Sequence, residues 1–297
     1  MKKISKDKIK TWFVTGASSG VGHEMCKQLI ARGYNVIAIS RRIPDFSVDN
    51  VLCLSVDITN PKEIENSVKQ GINKFGKIDV LVNNAGVSDN IIFEEETIDN
   101  MKRVMETNFF GTYNIMHALL PHFRLNKNGT IINNSSVNGI TPLAYGSAYC
   151  SSKHALEGLT SVVWHETKSF CRVMTFELGH FYGTDLGKDT YHGTKIKEYE
   201  NLTPFYINYY ESFINDLSVA VSYIIDEAEK EKMQRRLFLG KDAYIRIKAE
   251  IGYLKKDLAK SKKRALKCAK FDKDFIRRVI NKIFKVLFKT KKEIIKK

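Results

Sequence analysis

Residues 11–22 read TWFVTGASSGVG, and the order of features in this short stretch points to the fold. TWFVT is a compact apolar run of strand-forming residues. It passes into Thr15-Gly16-Ala17-Ser18-Ser19-Gly20-Val21-Gly22, after which apolar residues over 20–32 recur at helical spacing. Glycines there allow a tight turn and a close approach of phosphate to the backbone. The free N–H groups at the helix start then receive the negative charge. The spacing is Gly-x-x-x-Gly-x-Gly, not the Gly-x-Gly-x-x-Gly of the common dinucleotide fingerprint. Alone, such a turn is as often only a turn. At the first strand of an alternating chain it points to dinucleotide binding.

The alternation continues outward. Apolar, β-branched runs recur at 34–40, 51–55, 78–82, 130–134, 172–178 and 235–240, separated by helical spacing over 61–75, 97–124 and 147–170. Near-continuous apolar strands alternating with helices predict a parallel sheet covered on both faces, a doubly wound α/β fold. Residues 1–240 are expected to form the dinucleotide-binding domain. Within it, about 181–235 are expected to form an aromatic substrate lid, with nine aromatic residues between Phe181 and Phe213.

Composition narrows the function classes. The 297 residues carry 48 Lys plus Arg against 33 Asp plus Glu, a net charge of +15. Residues 241–297 hold 21 basic and 6 acidic side chains, so the first 240 residues are balanced at 27 of each. The basicity therefore describes a C-terminal helical extension. It argues against nucleic acid as the main partner. The five cysteines show neither metal-type pairing nor a disulfide framework, so no metal site is expected and a reducing, cytoplasmic setting is. The basic start leads into a strand and not a signal core, and no apolar run reaches the length of a membrane span.

Further motifs follow in order: Asp57 in VDIT, NNAG at 83–86, Asn108 in METNFFGTYN, Ser136 in IINNSS, and Tyr149 with Lys153 in YCSSK. Together with the TGxxxGxG turn, they make the chain resemble the short-chain dehydrogenase/reductase family over residues 11 to about 185. The resemblance implies a Rossmann-like sheet, a nicotinamide cofactor and a homo-oligomer. It implies catalytic roles for Asn108, Ser136, Tyr149 and Lys153. It also implies cofactor contacts from Gly16, Ser18, Ser19, Gly20, Val21, Gly22, Ser40, Arg41, Asp57, Ile58, Asn84, Ala85, Gly86, Tyr149, Lys153 and Thr184. The chain departs from the family at Glu177-Leu178-Gly179, where Pro-Gly is usual, and GHFYGT is one residue longer before Thr184.

YxxxK occurs at Tyr149/Lys153, Tyr191/Lys195 and Tyr244/Lys248. Only Tyr149 opens a long helical segment and follows a strand-end serine by 13 residues. Positions i and i+4 share a helix face, so Lys153 can stand beside the Tyr149 phenol. A carbonyl that receives hydride becomes an alkoxide and needs a positioned acid. Free tyrosine ionises near pH 10, and a neighbouring ammonium favours the phenolate. By resemblance, Lys153 also holds the nicotinamide ribose, Ser136 binds the substrate oxygen, and Asn108 holds a relay water. Ser135 competes with Ser136. Asp57 has an alternative as a helix cap, and Asn83 and Gly86 as turn formers.

The second strand ends in Ser40-Arg41-Arg42 with no carboxylate to meet ribose hydroxyls. Arginine can grip a 2′-phosphate, so NADP(H) is expected over NAD(H). The expected activity is hydride transfer to or from a carbonyl or secondary alcohol on an apolar or ring-containing small molecule. A non-catalytic nucleotide-binding scaffold and a sugar-nucleotide epimerase relative are the alternatives. In 274–290, Phe275, Ile276, Val279, Ile280, Ile283, Phe284 and Leu287 recur at helical spacing among basic residues. That pattern suits peripheral contact with an anionic membrane at its inner face, or packing on protein.

Overall fold

A computed structural model describes residues 9–181, 186, 193–202, 215–268 and 277–283. Its seven strands are β1 (Thr11–Thr15), β2 (Asn35–Ser40), β3 (Val51–Ser55), β4 (Val80–Asn83), β5 (Thr130–Asn134), β6 (Arg172–Leu178) and β7 (Arg236–Leu239). They form one sheet in the order β3-β2-β1-β4-β5-β6-β7, and every neighbouring pair is parallel. Trp12 of β1 stands between Val36 of β2 and Val80 of β4. The chain reverses its winding direction between β1 and β4, where an open α/β sheet leaves a crevice beyond its strand ends.

The helices are α1 (Gly20–Ala31), α2 (Pro61–Phe75), α3 (Ile98–Met105), α4 (Thr112–Leu125), α5 (Ser147–Thr167), α6 (Leu217–Glu229) and α7 (Lys241–Lys267). Local chemistry sets their ends. Asn60 caps α2 by accepting from the Lys62 amide at 3.1 Å, Pro61 opens the first turn, and Gly76 ends the helix at φ 81°. Successive strand residues face opposite ways. Trp12, Val14 and Val36 therefore pack under Met25 and Leu29 of α1 and Val221 and Ile224 of α6. Phe13, Ile37 and Leu81 pack against Ile64 of α2 and Ile115, Leu119 and Phe123 of α4.

Two local departures bear on the site. The helical stretch expected over 97–124 is interrupted by a π segment, Glu106–Gly111, centred on the fully buried Asn108. The Asn108 amide leaves the helix to bond the Val87 backbone, and such bulges collect at functional sites. At the end of β6, Leu178 in place of proline extends the strand. Leu178 pairs with Leu239, and the Gly179 amide donates to the Leu239 carbonyl at 2.9 Å.

The chain forms compact units Met1–Ile247 and Lys248–Lys297. The division falls after the charge shift near 241 because Asp242, Ala243 and Ile247 are buried within the first unit. In the second unit, α7 continues with exposed Ile251, Leu254 and Leu258, and residues 277–283 are helical. Of the expected apolar tail face, Val279, Ile280 and Ile283 fall there. Phe275, Ile276, Phe284 and Leu287 lie outside the described residues, as do seven of the nine aromatic residues between Phe181 and Phe213. Among the described residues, no helix is long and apolar enough to cross a membrane.

Candidate active site

The glycine turn is built to admit a ligand. Gly16 and Gly20 have φ of 66° and 52°, in the left-handed region where a Cβ is strained. Gly22 stands so close to the turn that an added Cβ would lie 2.3 Å from the Gly16 carbonyl oxygen. That contact seats α1 against β1. Ser19 starts α1 without a side-chain cap, and no acidic residue occupies the first turn. The helix N-terminus is thus left for an outside anion. This arrangement fits the pyrophosphate of a dinucleotide.

A cleft of about 820 Å³ runs over this turn. Its wall brings together Gly16, Ser18, Ser19, Gly20, Val21, Ser40, Arg41, Asp57, Ile58, Asn84, Ala85, Gly86, Tyr149 and Lys153. Gly22, Asn108 and Ser136 are not among the residues that line it; Asn108 is fully buried, and Ser136 keeps 6% of its surface exposed. Thr184 lies outside the described residues. Asp57 does not cap α2; its Oδ1 accepts from the Thr59 amide and hydroxyl at 2.9 and 2.8 Å.

A hydrogen-bonded path joins the turn to the catalytic candidates. The Thr15 hydroxyl oxygen accepts from the amides of Asn84 and Ala85, each at 2.9 Å. Asn134 Nδ2 donates to Asn84 Oδ1 at 2.9 Å, and Lys153 Nζ donates to the Asn134 carbonyl at 2.7 Å. Asn83 serves below this level, donating to Asn133 Oδ1 at 2.8 Å inside the sheet. Gly86 completes the set: a Cβ there would lie 3.2 Å from Asn108 Oδ1 and 3.8 Å from Lys153 Nζ. Its missing side chain leaves a small space shared by both groups.

Tyr149 and Lys153 occupy successive turns of α5, with Nζ 5.5 Å from the phenol ring centre. Both are buried on the cleft wall. Burial pushes the Lys153 ammonium down to about 8, and the charge of Glu157 opposes that fall. Lys153 is therefore charged at neutral pH yet close to releasing its proton. Ser136 accepts from the Asn138 amide at 3.1 Å, which leaves its own hydroxyl proton free to donate. Ser135 turns elsewhere: its Oγ lies 2.8 Å from where a Cβ of Gly139 would stand. Both polar atoms of the Asn108 amide are engaged. Oδ1 accepts from the Val87 amide at 2.8 Å, and Nδ2 donates to the Val87 carbonyl and to Ser152 Oγ.

The structure adds wall residues that motif reading passed over: Arg42, Val56, Thr59, Val87, Ser88, Arg103, Glu106, Thr107, Asn134 and Leu186. Arg42 is the most informative. Its Nη2 donates to the Ser18 carbonyl at 2.9 Å, tying the end of β2 to the glycine turn. Ser40 donates to the Arg42 carbonyl, which fixes that corner. The signal was present in the Arg41-Arg42 pair, both of which line the cleft, but sequence alone did not show that Arg42 reaches the Ser18 carbonyl. Of the other YxxxK pairs, Tyr244 is 63% exposed, and Tyr191 lies outside the described residues.

Comparison with known proteins agrees with this geometry. The family model described as short chain dehydrogenase matches residues 10–195. A 3-ketodihydrosphingosine reductase of Bacteroides thetaiotaomicron is 38% identical over 157 residues, covering 53% of this chain and 58% of that protein. The chain thus spans little more than half the length of that relative. An uncharacterized oxidoreductase of Schizosaccharomyces pombe is 31% identical over 246 residues, covering 80% of this chain and 84% of that protein. A short-chain dehydrogenase crystal structure from Streptomyces avermitilis superposes with a TM-score of 0.79 at 29% identity, covering 88% of this chain and 98% of that one. With the match extending from the glycine turn past Tyr149 and Lys153, the chain belongs to the short-chain dehydrogenase family.

Proposed function

We propose that this protein is an NADP(H)-dependent reductase of ketones carried on apolar molecules, reversible toward the secondary alcohol. The observation that carries this reading is the placement of Tyr149 and Lys153 on one cleft wall, linked through Asn134 and Asn84 to the glycine turn. When bound, the reduced nicotinamide supplies the hydride. Ser136 offers a hydrogen bond to the substrate oxygen as negative charge develops there and keeps its proton. Tyr149 gives that oxygen its proton, and the Lys153 ammonium beside it favours the charge left on the phenol. Lys153 also offers donors to ribose hydroxyls. The space beside Gly86 faces both Asn108 Oδ1 and Lys153 Nζ and suits a relay water.

Arg41 and Arg42 support NADP(H), because two guanidinium groups and no carboxylate stand at the end of β2. The similarity to a 3-ketodihydrosphingosine reductase supports a ketone on a long chain. The basic extension agrees with a cytoplasmic protein that meets such substrates at an anionic membrane face.

The test is consumption of NADPH and NADH with ketones of rising chain length, 3-ketodihydrosphingosine among them. Turnover of the long-chain ketones with NADPH supports the reading. If calorimetry shows NADPH binding while none of the ketones is reduced, a nucleotide-binding scaffold replaces it.

A further inference from the structure

Along α5, Tyr149, Lys153 and Glu157 follow one another at four-residue intervals and share one side of the helix. Glu157 does not line the cleft. It is buried with Glu177 of β6, whose side chain is wholly inaccessible to solvent. The register of β6 and β7 sets Arg236 opposite Thr175, two residues before Glu177 and on the same sheet face. Arg236 donates from Nη2 and Nε to Glu157 Oε2 at 2.9 and 3.1 Å. Its Nε lies 3.8 Å from Glu177 Oε1, which also accepts the Thr175 hydroxyl proton.

One oxygen of each carboxyl remains. Glu157 Oε1 and Glu177 Oε2 are buried without a hydrogen-bond partner. The two carboxyl groups also share one guanidinium nitrogen, with Arg236 Nε 3.1 Å from Glu157 Oε2 and 3.8 Å from Glu177 Oε1. Two ionised carboxylates gathered on one guanidinium would repel, and each would keep an unsatisfied buried oxygen. A single proton removes both penalties, since the protonated group donates to the ionised one.

We propose that Glu177 keeps its proton and donates it to Glu157, and that the Glu157 carboxylate so held acts through Lys153 as a positioning residue, keeping that side chain an ammonium beside the Tyr149 phenol. The inference rests on the reductase reading for the use made of Lys153. The charged groups facing the pair are Lys153 on α5 and Arg236 on β7, with the neighbouring Arg235 acting on Glu157 at longer range. Asp242, beyond the end of β6, is directed to the His180 amide and to Asn215. Burial, followed by the charge of Glu157, raises the Glu177 carboxyl well above the ordinary carboxylate range, in agreement with a retained proton.

Two measurements on the full-length protein test this without any substrate. The first follows the Lys153 side-chain resonance of protein carrying 13C-labelled lysine, identified by its loss in K153R. Glu157→Gln should lower the titration point by about one pH unit, a roughly tenfold change in ionisation constant. Glu177→Gln preserves a neutral donor and should leave it in place. The second compares melting temperatures from pH 5 to 9. A raised carboxyl pKa means that this site binds more protons in the folded state than in the unfolded chain above about pH 4.5, so its contribution to wild-type stability falls as pH rises. Glu177→Gln lacks that loss, and the difference between the two should widen with pH.

An unmoved Lys153 titration in Glu157→Gln overturns the proposal, and so do parallel melting profiles for wild type and Glu177→Gln. If Glu157→Gln does not fold, the Glu177→Gln profile decides alone. Neither readout requires turnover, so either failure leaves the reductase reading intact, and inactivity toward ketones leaves these measurements valid.

Discussion

Replacing Lys153 with methionine should make the protein more stable and nearly inactive. The ammonium is buried, with one hydrogen bond at 2.7 Å to the Asn134 carbonyl, and burial brings it to about 8 from its ordinary 10.5. That interval corresponds to about 3 kcal/mol against folding with the charge in place. The direction follows from proton binding. Between pH 8 and 10.5 the unfolded chain binds more protons at this site than the folded one, so the contribution of Lys153 to wild-type stability rises with pH across that window. Below pH 8 both states are charged and the full penalty stands. Methionine has similar length and no charge, but it leaves the Asn134 carbonyl without its donor, at about 1 kcal/mol. The net gain below pH 8 is then about 2 kcal/mol, or roughly 4 to 8 °C in melting temperature. It should vanish and reverse slightly as pH approaches 10.5. Thermal unfolding of both proteins at pH 7 and pH 10, without cofactor, is the assay. A variant that melts below wild type at pH 7, or a difference that ignores pH, would refute the reasoning.

Tyr149→Phe keeps the buried ring and removes the transferable proton, so kcat should fall about 10² to 10⁴-fold while NADPH affinity by calorimetry is retained. Near wild-type turnover would sink the assignment. Gly86→Ala places a methyl group 3.2 Å from Asn108 Oδ1 and 3.8 Å from Lys153 Nζ. With a melting temperature close to wild type, its kcat should drop about 10 to 100-fold, and an unchanged kcat would show that the space is not used. Combining Ser40→Asp with neutral residues at Arg41 and Arg42 should reverse the cofactor preference, which equal affinity of the unaltered protein for NADPH and NADH would contradict. Truncation after residue 264 should release the protein from anionic vesicles at low salt. If the full chain itself stays in the supernatant, the extension is not a membrane contact.

The elements nearest to sequence were those whose causes are local. β1, α1, β3, α2 and β5 fall where apolar runs and helical spacing place them; β1 and β5 are buried on both faces and need only their own residues to show it. The glycine turn and the Tyr149–Lys153 pair were legible for the same reason, since a turn and an i, i+4 interval are short-range geometry. The helical run at 97–124 misled because spacing alone does not show that Asn108 finds its partners at Val87, 21 residues away, and expands the helix to reach them. Likewise Asn134 contributes a backbone carbonyl to Lys153, which no side-chain motif can announce.

Glu177 belongs to an intermediate case. RVMTFEL reads as a strand with both faces covered, and a carboxylate in such a strand is a contradiction that sequence displays but does not resolve. Its partners come from α5 and β7, with Arg236 lying 79 residues from Glu157, so only the closed sheet brings the charges together. The contradiction itself was still informative. An apolar strand that tolerates a glutamate must bring a proton, a cation or both to it. Here the chain does so one helical turn from the lysine that its chemistry needs charged. A residue that looks like a flaw in the core pattern is therefore the place to search for the electrostatic support of the site. The Lys153 titration in Glu157→Gln measures whether that support reaches the cleft.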